Sequence, residues 1–382
     1  MHARSARLAS ILWLVCAGCD SSGAPDGMSE PVAQPDAGAD SGANLGLPWP
    51  ADRLGPAPYP DDNPPTEAKR LLGRALFYDP VVSSDKATAC VSCHSEIWGL
   101  SDQLARSVGV DGTGPIGPGR KGPNMTRRNS QALWNLAYRK EFFWDGRADS
   151  LEHQVFFPIE SAEELNRKPS ELVAELAANP QYQMLFQAAF PGVEPAVTEQ
   201  TFSQALGVFM RAYISDRAPY DSYLKGDMRA LDAQDLRGAS LFAALGCHGC
   251  HLPPRFESDQ YHDRQVPNPE NIVDDGRFEF SGEAADRGTF RVPTLRNARE
   301  SGPYFHNGSV RTFEEAVAHE VDLQVASGAR GALTGDEFDD LMSFLRRSLT
   351  DVSREQHPPK SVPSGLPIPL DGDLLLRGGH GD

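Results

Sequence analysis

The sequence predicts an all-α protein of two domains connected by long loops. Its periodic segments repeat apolar residues at helical spacing, several open with a capping residue, and strand-like alternation is scarce. A Cys-x-x-Cys-His motif occurs in each half of the central region, at 90–94 and 247–251. Loops without periodicity, such as 101–124 and 252–288, fit domains that are organised partly around a bound group.

The first 19 residues have the pattern of an export signal. Arg4 and Arg7 precede the apolar run 8–15, which is too short to span a membrane. The small residues before Cys19 are typical of a bacterial lipoprotein signal, which predicts a lipid anchor at Cys19. Ordinary secretory cleavage is the alternative. Both outcomes predict a periplasmic protein.

Composition divides the remaining chain into a linker, two domains and a tail. Residues 20–65 are rich in Gly, Ala, Ser, Asp and Pro, and predict a disordered tether that continues into a Pro-rich arm. Residues 352–382 carry several prolines and predict a tail. Between them, residues 66–230 form the predicted N-terminal domain and residues 231–351 the predicted C-terminal domain.

Helix starts are marked by capping residues. Thr198 precedes one apolar stripe, and Thr312 and Thr334 each have a glutamate three residues later, which is the spacing of a capping box. Residues 235–246 predict a helix that leads into the second Cys-x-x-Cys-His motif. The stripes after Thr198 and Thr334 are Phe202, Ala205, Leu206, Phe209 and Tyr213, and Phe338, Leu341, Met342, Leu345 and Leu349.

The two Cys-x-x-Cys-His motifs predict covalent attachment of two c-type haems. Two cysteines three residues apart form thioethers to both vinyl groups, and the following histidine ligates the iron. A zinc site would bring its two Cys pairs within about 15–20 residues of each other, whereas positions 90 and 247 differ by 157. The predicted architecture is two cytochrome c-like haem domains packed against each other. The attachment residues are Cys90, Cys93 and His94, and Cys247, Cys250 and His251.

The net charge argues against one class of function, and the cysteine content argues against disulfide bonds. The net charge of −17 argues against nucleic-acid binding, because such proteins are usually basic. An acidic surface suits electrostatic steering of a basic donor protein, with plain solubility as the alternative. Four of the six cysteines lie in the two motifs and the others are Cys16 and Cys19, so none is left for a disulfide.

Four further segments carry a family resemblance. They are Leu-Gly-Arg-Ala-Leu-Phe-Tyr-Asp-Pro at 72–80, Phe-Phe-Trp-Asp-Gly-Arg-Ala at 142–148, Val-Pro-Thr-Leu-Arg-Asn at 292–297 and Pro-Tyr-Phe-His-Asn-Gly at 303–308. Together with the two motifs they resemble the bacterial di-haem cytochrome c peroxidase and MauG superfamily, over roughly residues 66–351.

This resemblance implies a peroxide-reacting haem in the N-terminal domain and an electron-transfer haem in the C-terminal domain. It makes His94 and His251 the proximal iron ligands. Electrons come from a small donor protein, a cytochrome c or a cupredoxin, or in MauG-like members a partner protein is oxidised. A di-haem electron-transfer cytochrome without catalysis is the alternative class.

Two residues are assigned roles by the same resemblance. Glu164 lies twenty residues after Trp144 and follows Pro158-Ile159, as the family's catalytic glutamate does. A glutamate near a haem and away from bulk water has a raised pKa, which suits an acid/base catalyst. Trp144 resembles the tryptophan that carries oxidising equivalents between the haems. Without the resemblance, a solvated carboxylate and a core aromatic are the ordinary interpretations.

The resemblance also predicts an inter-haem calcium ion. Asn129, Ser301 and Pro303 occupy the family's ligand positions, which act largely through backbone and water oxygens. Oxygen ligands suit this hard cation.

The position of the usual distal histidine is occupied by Val110. Conventional members place a displaceable histidine sixteen residues after the first haem histidine, and no histidine occurs between His94 and His153 here. We therefore expect an open first haem, as in MauG-like members. A ligand supplied by another segment is the alternative.

Like Val110, Glu320 departs from the family pattern. It lies fourteen residues after His306, where family members place an axial Met or Tyr. Helical periodicity turns Glu320 toward the same side as Phe313 and Val317, which predicts a sixth ligand or a close hydrogen bond. His319 is the competing candidate. We expect the side chain of His306 to support the haem pocket by hydrogen bonding, and His248 to be exposed.

Overall fold

Helices carry most of the regular structure in the computed structural model, which describes residues 46–353 and 358–371. The predicted export signal, Cys19 and residues 20–45 of the tether lie outside these ranges. No helix in the described ranges combines the length and apolarity needed to cross a membrane. The helices are α1 Glu67–Tyr78, α2 Leu151–Gln154, α3 Phe156–Glu160, α4 Pro169–Ala178, α5 Pro180–Ala189, α6 Glu199–Arg211, α7 Pro219–Leu224, α8 Ala233–Ala244, α9 Phe278–Ser281, α10 Phe313–Ala326 and α11 Gly335–Ser343.

Strand structure in the described ranges is limited to one short ladder. Strands β1, Tyr261–His262, and β2, Phe290–Arg291, pair antiparallel. The remaining regular segments are 3₁₀ turns and a π-helical turn, Phe344–Ser348, that continues α11. The protein is therefore mostly helical with little strand, as expected.

The three predicted helix caps are confirmed. The hydroxyl oxygen of Thr198 accepts a hydrogen bond from the Thr201 N–H at 3.1 Å, and α6 follows. Thr312 opens α10 and Thr334 opens α11 with reciprocal capping boxes. These hydrogen bonds satisfy N–H groups that the first helical turn leaves without intrahelical partners.

The helices build two hydrophobic cores, the first from helices that precede residue 215 and the second from helices that follow it. In the first, α1 packs on α6 at Gly73, where an added Cβ would lie 2.1 Å from the Ala205 carbonyl oxygen. In the second, α8 packs on α11 at Gly238, where an added Cβ would lie 2.1 Å from the Asp340 carbonyl oxygen. Each helix pair thus depends on one glycine for its close approach. The described residues all belong to one compact unit, so the two-domain division stays a prediction.

The described end of the Pro-rich arm is anchored by a tryptophan. Trp49 is 9% exposed and packs among Phe242, Phe256 and Phe344 of the second core. Its indole N–H donates to the Tyr220 hydroxyl at 2.9 Å. This aromatic anchor gives the arm a fixed course along the core despite its lack of periodicity.

Residues 358–371, predicted as part of a tail, instead pack on the first core. Val362 is 5% exposed within it. The hydroxyl of Ser364 donates to the buried carboxylate of Asp79 at 2.6 Å, and the hydroxyl of Ser95 donates to Asp371 at 2.7 Å. Scattered apolar and polar anchors hold this segment without any helical or strand pattern that a sequence would reveal.

Candidate haem-binding sites

Each Cys-x-x-Cys-His motif begins with a 3₁₀ turn, Cys90–Ser92 in the first and Cys247–Gly249 in the second. In each motif the backbone N–H of the histidine donates to the carbonyl of the first cysteine, at 3.1 Å and 2.9 Å respectively. The turn gathers both thiols and the imidazole of a motif into one short stretch. All four cysteines are free thiols beside a cavity.

Both histidines are held in the tautomer that metal ligation requires. The Nδ1 atom of His94 lies 3.1 Å from the Leu100 carbonyl oxygen, and that of His251 lies 3.2 Å and 3.1 Å from the carbonyl oxygens of Phe256 and Pro293. Because a carbonyl only accepts, Nδ1 carries the proton and the Nε2 lone pair stays available. Burial lowers the pKa of both rings, which keeps them neutral. This donor set fits a covalently bound haem at each motif.

Two adjoining cavities surround the first motif, and both are lined by His94 and Glu164. Glu164 is half-buried, and burial raises the pKa of its carboxyl against the opposing attraction of Arg147. The carboxyl therefore keeps its proton to a higher pH than an exposed glutamate does. Its backbone is positioned by the Val110 N–H, which donates to the Glu164 carbonyl at 2.8 Å.

Val110 itself is 2% exposed and does not line either cavity. Its neighbour Gly109 approaches the 163–164 backbone so closely that an added Cβ would lie 2.0 Å from the Glu163 carbonyl oxygen. Among the described residues around the larger cavity, His94 is the only histidine, and methionine and tyrosine are absent. The segment that would present a distal histidine thus presents backbone to Glu164.

The second cavity brings Cys247, Cys250 and His251 together with Glu320. The Glu320 carboxylate accepts from Arg264, at 3.0 Å from Nε and 2.5 Å from Nη2, and both side chains are about one-third exposed. Glu320 thus faces the cavity and already has a charged partner.

His319, the competing candidate, does not line this cavity. Its Nε2 atom lies 2.8 Å from the Arg264 carbonyl oxygen, and its ring meets the edge of Phe305. The structure therefore separates the two candidates, because only Glu320 faces the second motif.

Of two expectations about other histidines, the exposure of His248 is wrong, whereas the hydrogen bonding of His306 to the haem pocket stays a prediction. His306 lines the second cavity, but the contact of its ring is a parallel stack on Phe290, with the ring centroids 3.5 Å apart. Its carbonyl, not its ring, accepts the hydrogen bond from the Asn129 N–H at 2.7 Å. His248 is half-buried and stacks on Trp49, because the Pro-rich arm covers it.

Trp144 lies between the two haem sites, because it lines both the larger first cavity and the second cavity. Its indole N–H donates to the Asn129 carbonyl at 2.9 Å, and its own carbonyl accepts from the Arg291 N–H at 2.8 Å. These two bonds connect Trp144 to a residue of each predicted domain. Asn129, Ser130, Gln131, Ala132 and Arg139 also line both cavities.

The three predicted calcium ligands line one cavity. Asn129, Ser301 and Pro303 all border the second site. The Asn129 carbonyl and amide nitrogen are already bonded, to Trp144 and to the Leu104 carbonyl, which leaves its side-chain oxygen. The described residues contain no cluster of three or more His, Cys, Asp or Glu that would hold a metal. A cation here would depend on amide and backbone oxygens, which suits calcium.

Sequence reasoning missed the charged residues around these cavities. Arg264, the partner of Glu320, lies in a loop without periodicity. Arg139 lines both cavities and Arg291 the second, and both approach the buried Glu257. Of these arginines, only Arg291 could have been noticed in the sequence, because it immediately precedes the 292–297 segment that carries the family resemblance.

Known proteins resemble this chain in sequence. A family model described as di-haem cytochrome c peroxidase matches residues 67–229. The methylamine utilization protein MauG of Methylorubrum extorquens is 38% identical over 263 residues, which cover 69% of this chain and 71% of that protein. This chain belongs to the di-haem cytochrome c peroxidase family.

Other relatives agree with this family assignment. The cytochrome c551 peroxidase of Pseudomonas aeruginosa is 31% identical over 300 residues, covering 77% of this chain and 82% of that protein. A solved MauG-like protein associated with microbial copper homeostasis superposes with a TM-score of 0.66 at 28% identity, covering 78% of this chain and 94% of that one. The protein is accordingly a peroxidase, an oxidoreductase that acts on hydrogen peroxide, and its family implies two c-type haems.

Proposed function

We propose that hydrogen peroxide reacts in the cavity of the first motif and that electrons reach it from the second motif through Trp144. The observation that carries this proposal is the position of Trp144, which lines both cavities, whereas Glu164 lines only those of the first motif. This asymmetry supports peroxide chemistry on the His94 side and electron delivery on the His251 side. Bound haem supplies the iron that binds peroxide and exchanges electrons.

Glu164 is the acid/base residue in this proposal. Its carboxylate would accept a proton from one peroxide oxygen and return it to the other, which would leave as water. Its raised pKa suits both halves of the transfer, because burial makes the carboxyl hold a proton at a higher pH than an exposed glutamate does. Arg147, on the same cavity wall, attracts the carboxylate form and limits the rise.

The first site belongs to the open, MauG-like type. Support comes from Val110, which presents only its backbone to Glu164, and from the lack of a second histidine among the described residues of the larger cavity. An open site reacts with peroxide in the fully oxidised protein, without prior reduction. A conventional site would need reduction first to release its sixth ligand.

Glu320 faces the second motif, where it would ligate the haem iron or act as its closest anion, with Arg264 as its counter-ion. An anionic oxygen near the iron stabilises the oxidised state relative to a methionine ligand. The physiological reductant is a small cytochrome c or cupredoxin, or the oxidising equivalents end on a residue of a partner protein. The acidic chain, with a net charge of −17, suits a basic partner.

Calcium and export complete the proposal. Asn129, Ser301 and Pro303, which line the second cavity, would hold a calcium ion through their oxygens. The export signal delivers the chain to the periplasm, where Cys19 carries a lipid anchor.

The deciding experiment mixes the fully oxidised, haem-loaded protein rapidly with one equivalent of hydrogen peroxide and records the Soret band. A fast and persistent change supports an open first site. A change only after one-electron reduction would overturn the MauG-like assignment, and no change in either state would leave an electron-transfer cytochrome. Cyanide binding to the oxidised protein is an independent check, because an electron carrier with two six-coordinate irons would not bind it.

A further inference from the structure

A cluster of buried charges lies beside both haem cavities. Arg139 and Arg291 have side chains that are 3% and 1% exposed, and they converge on Glu257, whose side chain is fully buried. The Arg139 Nε atom donates to Glu257 at 2.9 Å. The Arg291 Nη2 atom lies 3.6 Å from the same carboxylate oxygen, too far for a hydrogen bond.

This cluster has an excess of positive charge. The Arg291 Nη2 atom also lies 3.5 Å from a carboxylate oxygen of Asp259, whose side chain is 35% exposed, and Arg255 lies 3.7 Å from Glu257, so three guanidinium groups face two carboxylates. Arg291 still leaves both Nε and Nη2 without a hydrogen-bond partner among the described residues. Its Nη1 atom bonds only to the Val292 carbonyl, at 3.3 Å. Buried cations without partners are strongly unfavourable, so the arrangement calls for an additional anion.

Arg296 is a buried arginine away from the haem cavities, and its side chain is fully paired. It is completely buried, and two of its nitrogens donate to the two oxygens of Asp221, each at 2.8 Å. Arg296 lines neither haem cavity. By contrast, Arg139 lines both the larger first cavity and the second, and Arg291 lines the second. The under-paired arginines are therefore the ones that border the haem sites.

We propose that Arg139 and Arg291 form a carboxylate-binding site that receives the haem propionates. Arg139 serves a propionate of each haem and Arg291 serves one of the second haem, while Glu257 is the fixed counter-ion of the pair. A planar guanidinium matches a carboxylate with two parallel hydrogen bonds, which a lysine does not reproduce. This inference rests on the proposed function for the presence of two haems.

The charge state of Arg139 suits this role. Burial lowers its pKa to about 10, so the side chain stays protonated at neutral pH. A positive charge held beside a haem favours the reduced iron, which carries one positive charge fewer. Arg139 therefore raises the midpoint potentials of both haems, and Arg291 raises that of the second.

The test is a spectroelectrochemical titration of the haem-loaded protein and its variants. Arg139→Gln is expected to lower the midpoint potentials of both haems, and Arg291→Gln that of the second haem only. Arg255→Gln is the matched control, because Arg255 lies 3.7 Å from Glu257 but lines neither cavity and is 26% exposed. The control is expected to leave both potentials in place.

Unshifted potentials in Arg139→Gln, or an equal shift in Arg255→Gln, would overturn the propionate site. Arg139→Lys keeps the positive charge but loses the planar pair of hydrogen-bond donors. We expect its midpoint potentials to lie between those of wild type and those of Arg139→Gln. If Arg139→Gln does not fold, Arg291→Gln tests the proposal, because a shift in the midpoint potential of the first haem instead of the second would contradict it.

Haem content is measured before the potentials. Fewer than two haems per chain would contradict the proposed function, whereas two haems with unshifted potentials would contradict only this inference.

Discussion

The indole N–H of Trp144 donates to the main-chain carbonyl of Asn129 at 2.9 Å. Asn129 is in turn fixed by its own N–H, which donates to the His306 carbonyl at 2.7 Å. A residue of the 303–308 segment therefore determines the position of a ring that borders both cavities. Because backbone groups make these bonds, the position does not depend on the side chain of His306.

Trp144→Phe is predicted to slow electron transfer between the two haems and to leave the first reaction with peroxide unchanged. Phenylalanine keeps an aromatic ring in place but is much harder to oxidise and has no N–H for Asn129. Stopped-flow spectra after peroxide mixing resolve the two steps. Trp134→Phe is the control, because Trp134 is buried and bonds to the Gly99 carbonyl but lines neither cavity. Equal slowing in both variants would argue against a relay role.

Glu164→Gln is predicted to lower the second-order rate constant for peroxide by about 10²- to 10⁴-fold, the usual contribution of a general acid/base. Below its pKa Glu164 is protonated and cannot accept the peroxide proton, so the wild-type rate falls as the pH falls. Because burial raises that pKa, the fall begins above the ordinary glutamate value of 4.5. Stopped-flow measurement of the rate constant against pH records this fall, which is the acid limb of the profile.

The same profile needs two controls. Burial raises the pKa of Asp102 to about 6, so only loss of the acid limb in Glu164→Gln assigns that limb to Glu164. Glu163→Gln removes an equal charge from an exposed neighbour and is expected to keep the limb. An unchanged profile in Glu164→Gln would refute the acid/base role.

Glu320→Gln is predicted to change the optical and EPR spectra of the second haem, and His319→Gln to leave them unchanged. Only Glu320 lines the second cavity. The Arg264–Glu320 pair is about one-third exposed on both sides, so its loss is expected to cost less than about 1 kcal/mol in unfolding free energy. A spectral change with little loss of stability separates a role at the haem from a structural one. The opposite pattern of spectra would make His319 the ligand.

Chelation of calcium is predicted to slow the transfer of electrons between the haems. The candidate ligands are Asn129, whose carbonyl holds Trp144, and Ser301 and Pro303. Dialysis against EGTA followed by stopped-flow mixing tests this. Calcium is expected to restore the rate and magnesium is not, because magnesium demands a smaller octahedral site. Elemental analysis that finds no calcium in the purified protein would refute the site.

Ser364→Ala is predicted to destabilise the protein by about 1.5–3 kcal/mol, the usual contribution of a hydrogen bond to a charged group. The Ser364 hydroxyl donates to Asp79, which is fully buried and also accepts from Tyr182 at 2.6 Å. Urea unfolding of the haem-loaded protein measures the change. Ser327→Ala, at an exposed helix end, is the control and is expected to have little effect. Equal stability would mean that residues 358–371 do not hold the first core together.

Local features of this protein were predictable from sequence because their causes lie within a few residues. The three threonine caps and the turn of each Cys-x-x-Cys-His motif depend on groups no more than four positions apart. The helical period turned Glu320 toward the cavity for the same reason. Glu164 and Trp144 were found by resemblance to a family, and the structure places both on the wall of the larger first cavity.

The partners of those residues were decided by tertiary structure alone. Arg264 meets Glu320 across 56 positions, Arg139 meets Glu257 across 118, and Ser364 meets Asp79 across 285. No periodicity connects residues so far apart, because their encounter depends on how the helices and loops pack. The haem-attachment chemistry and the helices therefore follow from local sequence, whereas long-range packing sets which charges neutralise one another around the cavities and brings residues 358–371 onto the first core.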